Sequence, residues 1–351
     1  MLTRKAAPLQ QGFYFVNDSM SADGRYLWFY CAFPPSGTAH CGRTLGVIDF
    51  QSGEVRHYPE TQFGEASPFV DGQTGTVYWQ NGRSVWKRGP EPDAPVELVN
   101  SVPDELIGGR NVTRAATHLT LSADGKEFFL DIGVGLQYLF GSLPLDGGDF
   151  QLWHRFDRLY NHAQFSPTDP DEVLFAQEHH NDPITGLRIP ITDRLWTIRR
   201  GEEPRPIMPE PTRVSHEWWD ADGKHVWCVW GNDTWRVRLS DGEVEKIAFQ
   251  NHCWHSHSSR DGRLIVGDSH NADKWFRGCP SMVHFMNRDT GKTVVLAENP
   301  EHNNYAGQNY HIDPHPRFCC NDQYVVFTTT ARDEVDVAIV PTSELLDKTV
   351  H

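Results

Sequence analysis

The chain has 351 residues, with 32 Lys and Arg against 47 Asp and Glu, for a net charge of −15. That field repels phosphate and anionic lipid, which excludes a general nucleic-acid binder and argues against an anionic membrane surface. The 12 Trp and 19 Phe exclude a disordered chain. No apolar run reaches the roughly 18 residues of a membrane span, and Met1 to Gln11 lacks the apolar core of a signal peptide. The seven cysteines form no CxxC pair, so no zinc ribbon or disulfide framework is indicated. A reducing cytoplasm is the expected setting.

In chain order, one phrase recurs. Residues 21–30 read Ser-Ala-Asp-Gly-Arg-Tyr-Leu-Trp-Phe-Tyr, and related Asp-Gly turns leading into β-rich runs follow at Asp124-Gly125, Asp222-Gly223 and Asp261-Gly262. Weaker copies stand at Asp71-Gly72, Thr168 and Asn321. An Asp-Gly turn between β-rich runs is a hairpin signal. The seven markers, at 23, 71, 124, 168, 222, 261 and 321, are spaced by 48, 53, 44, 54, 39 and 60 residues. This is the scale of a four-stranded propeller blade of about 40–50 residues. The spacing predicts an all-β, seven-bladed β-propeller over residues 1–351, forming one domain.

Six residues before each marker stand Asn17, Glu65, His118, His162, His216, His255 and His315. Five are histidine in a chain with 18 histidines in all. Repeats place equivalent residues at equivalent points in space, so five imidazoles are expected around one end of the central channel. Imidazole is the commonest metal ligand and the usual general base near neutral pH. Gln308 and His311 precede His315 closely, and His252, His255 and His257 crowd the preceding blade. His255 and His257 would share one face of an extended strand. Imidazoles with an amide oxygen suit Mn²⁺ or a similar divalent ion and lack the thiolates of structural zinc sites. The Cys319-Cys320 pair reads as packing.

The segment Ser215-His216-Glu217-Trp218-Trp219-Asp220 resembles the His-Glu-x-Trp stretch of the oligogalacturonate lyases, seven-bladed cytoplasmic propellers that cleave short pectin fragments. Phe13-Tyr14-Phe15, Glu178-His179-His180, Asp193-Arg194-Leu195-Trp196, the run from His255 to Asp268 and the run from Gln308 to Pro316 resemble other parts of that family in the same order. The resemblance implies a Mn²⁺-assisted β-elimination on an anionic oligosaccharide. Carried over residue by residue, it implies His255, Gln308, His311 and His315 as metal ligands and His216 as base, with Arg194 beside it. The family's last two histidines are one residue apart, whereas three residues separate His311 and His315. His257 or Asp313 could take one of those places.

A uronate lyase removes the proton at C5, α to the carboxylate, and expels the oxygen at C4. Neutralising the carboxylate makes that proton more acidic, by a metal or by an arginine. Arg194 could hold the sugar carboxylate or stabilise the carbanion. Glu217 reads as an orienter of neighbouring groups. Trp218 and Trp219 could stack on a sugar, although core packing serves at least one of them. From their ring position, His118 and His162 could bond sugar hydroxyls. Two other readings stay open: a lyase or isomerase acting on a different uronate, and a non-enzymatic propeller that binds protein. No nucleic-acid or membrane partner is expected, and the oligomeric state is not legible.

Overall fold

The computed structural model describes residues 4–37, 41–182, 184–231, 233–247, 249, 253–269, 281–299, 302–303, 309–310 and 313–350. Each strong marker folds as the phrase dictates. In the first, the Ser21 hydroxyl donates to Asp23 Oδ1 at 2.6 Å, the Arg25 amide donates to the same oxygen at 3.0 Å, and Gly24 closes the turn at φ 74°. Gly125, Gly223 and Gly262 close equivalent turns at φ 74°, 63° and 68°. This left-handed backbone is why glycine follows the aspartate.

Each turn joins an innermost strand to its neighbour, and the sheets build outward in chain order. Among the described residues, six blade sheets have four strands and the seventh has three. The first blade comprises Leu9–Gln11, Tyr26–Ala32, Thr44–Asp49 and Glu54–Tyr58. The fifth comprises Ser215–Trp219, His225–Trp230, Asp233–Arg238 and Val244–Ile247. The seventh comprises Arg317–Cys319, Tyr324–Thr329 and Asp336–Pro341. The fourth blade carries an inserted hairpin, His180–Asn181 paired with Arg188–Ile189. The structure is a seven-bladed β-propeller, as the spacing predicts.

The core is distributed around the ring, with a hydrophobic cluster between each pair of neighbouring blades. Trp28 and Trp79 join the first and second, and Phe129, Phe140 and Phe175 join the third and fourth. Trp218, Trp227 and Ile265 join the fifth and sixth. Met20, Phe29, Cys319, Cys320 and Val337 join the seventh to the first. The adjacent cysteines are therefore packing residues, as expected. Because each sheet is buried on both faces, its second strand reads as a near-continuous apolar run, such as Tyr26–Ala32.

Ring closure also uses polar groups. The Gln10 amide donates to Val335 O at 3.3 Å, and its side-chain Nε2 donates to Asp336 Oδ1 at 2.8 Å. Lys5 lies 3.5 Å from Asp336 Oδ2. After Pro341 the chain turns into a helix, Thr342–Val350, which buries Leu345 against the sixth and seventh blades. The repeat analysis anticipates no helix here, because the helix lies beyond the last marker.

Gln10 and Asp336 are 0% and 2% exposed. Gln10→Ala strips a buried carboxylate of a donor, so it should cost about 1–3 kcal/mol, read as a lower urea midpoint with an unchanged m-value.

Candidate active site

The innermost strands are not regular where the ring histidines sit. Pairing shifts between Asn161 and Gln164 in the fourth blade, between Ser215 and Trp218 in the fifth, and between Cys253 and Ser256 in the sixth. His162, His216 and His315 have left-handed backbones, at φ 55°, 49° and 46°. For a residue with a Cβ this conformation costs on the order of 1–2 kcal/mol. A bulge carrying it re-aims the side chain and interrupts pairing. Bulge and left-handed backbone thus coincide at two equivalent positions, His162 in the fourth blade and His216 in the fifth.

The histidines converge on Tyr14 and Phe15. The Tyr14 ring stacks on His118 with centroids 4.7 Å apart and meets His315 edge-on at 4.7 Å. His162 and His255 lie 5.9 and 6.2 Å from it. Phe15 is within 6.3 Å of His216, His255 and His315. All five predicted histidines are therefore brought together. The other two ring positions diverge: Asn17 is buried and donates to Leu119 O at 2.8 Å, whereas Glu65 is exposed at the rim.

Tyr14 and four of these histidines border a cavity of about 390 Å³, at the small end of the ~300–1,000 Å³ usual for small-molecule sites. His118, at the cavity, has its Nε2 3.0 Å from His162 Nδ1. His118 Nδ1 is buried and meets no hydrogen-bond partner among the described residues. Burial, then Arg114, holds His118 down to about 3. His162 is held well below its usual value by burial, His118 and Arg194. His216 is likewise held well below its usual value, by burial first, then by His255 and Arg194.

His255 behaves differently. It lies 4.2 Å from His216, centroid to centroid, and 4.3 Å from His315. Its Nδ1 is 2.9 Å from Asp268 Oδ2, and its backbone amide donates to Asp268 Oδ1 at 2.8 Å. Burial lowers its proton affinity, but the Asp268 carboxylate outweighs burial and the net shift is upward. The His315 amide also donates to Asp268, at 3.2 Å. His255, Asp313 and His315 each offer a ligand atom, all within 4.8 Å of one another. With Nδ1 engaged by Asp268, Nε2 is the nitrogen of His255 left to ligate, the usual arrangement behind a metal-bound imidazole. Two imidazoles and a carboxylate suit a divalent transition metal. Gln308 and His311, the other two expected ligands, lie outside the described residues.

His257 does not join this cluster. The bulge ending at Ser256 breaks the alternation that would align it with His255. The Phe318 amide donates to its Nδ1 at 3.4 Å, and it borders a second cavity with Trp218 and Trp219. Those tryptophans are also remote from the cluster. Trp218 is 2% exposed and stacks on Trp227, and Trp219 Nε1 donates to Gln164 O at 2.9 Å.

Arg194 is 5% exposed and held between two carboxylates. Its Nε donates to Glu217 Oε2 at 2.9 Å and its Nη1 to Glu178 Oε1 at 2.5 Å. Glu217 thus orients an arginine rather than a ligand. Arg194 does not border the cavity, whereas Arg43, which the sequence reading passes over, does. Its guanidinium lies over the Tyr30 and Phe63 rings at 4.1 and 5.0 Å. The marker phrase gives no signal for it, because it precedes the third strand of its blade. Tyr14 was legible only as part of an opening motif.

Fold and site define a histidine-lined propeller with a candidate metal centre. No family model matches the chain. It is 27% identical over 185 residues to the oligogalacturonide lyase of Pectobacterium atrosepticum, covering 48% of this chain and 46% of that protein. It is 26% identical over 188 residues to the oligogalacturonate lyase of Dickeya dadantii, with the same coverages of 48% and 46%. The matched segment thus spans about half the length of these relatives. Among solved structures, an oligogalacturonate lyase in complex with manganese superposes with a TM-score of 0.73 at 18% identity, covering 95% of this chain and 90% of that one. The oligogalacturonate lyase from Vibrio parahaemolyticus gives 0.74 at 17%, covering 96% and 92%. The chain is similar to oligogalacturonate lyases in sequence over about half its length and in fold over nearly all of it, as the sequence motifs suggest.

His118 is 1% exposed, and its folded-state value of about 3 lies below the ~6.5 of an unfolded histidine. Above pH ~6.5 neither state binds this proton; between ~6.5 and ~3 only the unfolded state does, so stability is lost as pH drops through that window, by up to ~1.4 kcal/mol per unit. His118→Gln should flatten the slope of unfolding free energy against pH over that window by up to one proton.

Proposed function

We propose that the chain is a metal-dependent lyase that cleaves short oligogalacturonates by β-elimination. The reading is carried by one juxtaposition: the His255, Asp313 and His315 cluster, with His255 braced by Asp268, lies beside His216 in the lining of the same cavity, the His255 and His216 rings 4.2 Å apart. Similarity to lyases of that name supports the choice of reaction and substrate. A protein-binding scaffold would leave the cluster without a task.

His255, His315 and Asp313 would hold the metal, with Gln308 and His311 added from the sequence resemblance. Mn²⁺ is the proposed ion, since a manganese complex exists among the structural neighbours. When bound, the ion would neutralise the uronate carboxylate and so acidify the adjacent C5 proton. His216 is the proposed base. Burial and neighbouring positive charge keep its imidazole uncharged, and arrival of an anionic sugar raises its proton affinity. Arg194 is proposed to act on His216 through its charge, because its own donors are engaged by Glu178 and Glu217. His118, which borders the cavity, is proposed to bond a sugar hydroxyl, and His162 to fix its ring. Departure of the oxygen at C4 leaves a C4–C5 unsaturated uronate. The six described cysteines form no disulfide, which supports a reducing, cytoplasmic setting. No described helix is long and apolar enough to cross a membrane.

Digalacturonate should give the ultraviolet absorbance of the conjugated product with Mn²⁺-loaded protein and none after chelation. His216→Ala should abolish that signal while metal content is kept, and His315→Ala should lose metal and activity together. A flat trace from metal-loaded wild-type protein would overturn the reaction. Asp268→Asn removes the charge that braces His255, so Mn²⁺ affinity measured by calorimetry should fall about 10–100-fold.

A further inference from the structure

We propose that Asp131 is a positioning residue for the sugar, setting the His118 and His162 pair as Asp268 sets His255 and His315. The inference rests on the lyase reading above and goes beyond it, giving a role to a carboxylate that does not border the cavity. The observation that carries it is one of phase. Asp131 and Asp268 each stand seven residues after a blade marker, Asp124 and Asp261. The same count from the first and seventh markers gives Tyr30 and Thr328. All four lie on the second strand of a blade, and all four bond the entry segment of the next blade around the ring. Tyr30 Oη is 2.9 Å from Ser67 Oγ, and Thr328 Oγ1 accepts from the Gly12 amide at 3.0 Å. Asp131 Oδ2 accepts from the Ala163 amide at 3.2 Å, and Asp268 Oδ2 accepts from the His315 amide at 3.2 Å. Repeats place equivalent residues at equivalent points, so this position is a tether between neighbouring blades. Where the tether is a carboxylate, it stands between two ring histidines.

Asp131 works through backbone and hydroxyl groups. The Thr117 hydroxyl donates to Asp131 Oδ2 at 2.8 Å and accepts from the His162 amide at 3.3 Å. One carboxylate oxygen thus holds the residue before His118 together with the His162-Ala163 step. That step is where pairing shifts and the backbone is left-handed. Asp131 Oδ1 stands 3.6 Å from Arg114 Nε, so the carboxylate has a charge partner as well. Asp131 is 1% exposed, so water does not replace the tether. A left-handed histidine persists only where its surroundings impose it. Loss of the tether frees the His162 ring, and with it the 3.0 Å contact that fixes His118 Nε2. Asp268 differs in one respect, since it also touches the His255 ring. One ring position therefore serves the metal cluster by charge and the sugar-binding pair by geometry.

The test uses the full chain on a His216→Ala background, so that sugar is not consumed. Calorimetry reads Mn²⁺ affinity first, then digalacturonate affinity of the Mn²⁺-loaded protein. Asp131→Ala should weaken digalacturonate about 10-fold, the scale of one or two lost hydrogen bonds, and leave Mn²⁺ affinity unchanged. Asp131→Asn, whose amide oxygen can still accept both bonds, should restore most of the sugar affinity. With His118→Gln also present, Asp131→Ala should cost no further affinity, because the group it positions is gone. Should Asp131→Ala fail to fold, Thr117→Val cuts the same tether at its other end and should give the same pattern, including its disappearance with His118→Gln. Undiminished digalacturonate affinity would overturn the proposal. So would parallel losses of Mn²⁺ and sugar, which mark a structural role, a loss that persists with His118→Gln, or no digalacturonate binding by the parent. A selective loss of sugar affinity without unsaturated product from the unsubstituted protein would sustain Asp131 and sink the lyase reaction instead.

Discussion

Tyr14 and Phe15 occupy the point where the blades' inner edges meet, and five histidines pack around them. A propeller's innermost strands converge there, so a side chain aimed at the axis loses water on most sides. The bulges at His162 and His216 hold them in left-handed backbone, a conformation His315 shares. That conformation persists only where flanking ladder bonds and packing on both faces of each sheet impose it. The site therefore depends on the ring being closed, and the N-terminal strand with Gln10 closes it against Asp336.

From this desolvation follows a division of the cavity wall. His118, His162 and His216 are held in the neutral form by burial first, and then by one another or by Arg114 or Arg194. His255 is equally enclosed but has Asp268 at its back and Asp313 nearby, so its electrostatics run the other way. Neutral imidazoles beside a carboxylate-braced pair are what the proposed base and metal roles call for. The chain's charge of −15 does not oppose an anionic ligand here. The field that matters is local, and a bound divalent ion would reverse its sign at the cavity.

Much of this was readable from spacing. The seven markers gave the blades, because each Asp-Gly turn has a fixed place in a hairpin. Counting back six residues gave His118, His162, His216, His255 and His315, because a repeat maps sequence phase onto position around the ring. The same reasoning failed for His257, since strand alternation does not survive a bulge. Of the two tryptophans, Trp218 packs in the core between blades as expected of at least one, and both border the second cavity rather than the histidine site. Asp313 stood only as an alternative, and the geometry sets it beside His255 and His315. Arg43 has no phase relation to the markers, so no counting rule reaches it.

The amino-acid sequence by itself determined the number of blades, the phase of their turns and the identity of the imidazoles that meet at the axis. These follow from local rules: a glycine required at a left-handed turn, apolar runs in strands buried on both faces, and repetition. Tertiary structure alone decided which imidazole is braced by Asp268, that Arg194 is enclosed by Glu178 and Glu217, and that Arg43 borders the cavity. Those partners come from different blades and are brought together only when the ring closes, so no local pattern along the chain records them.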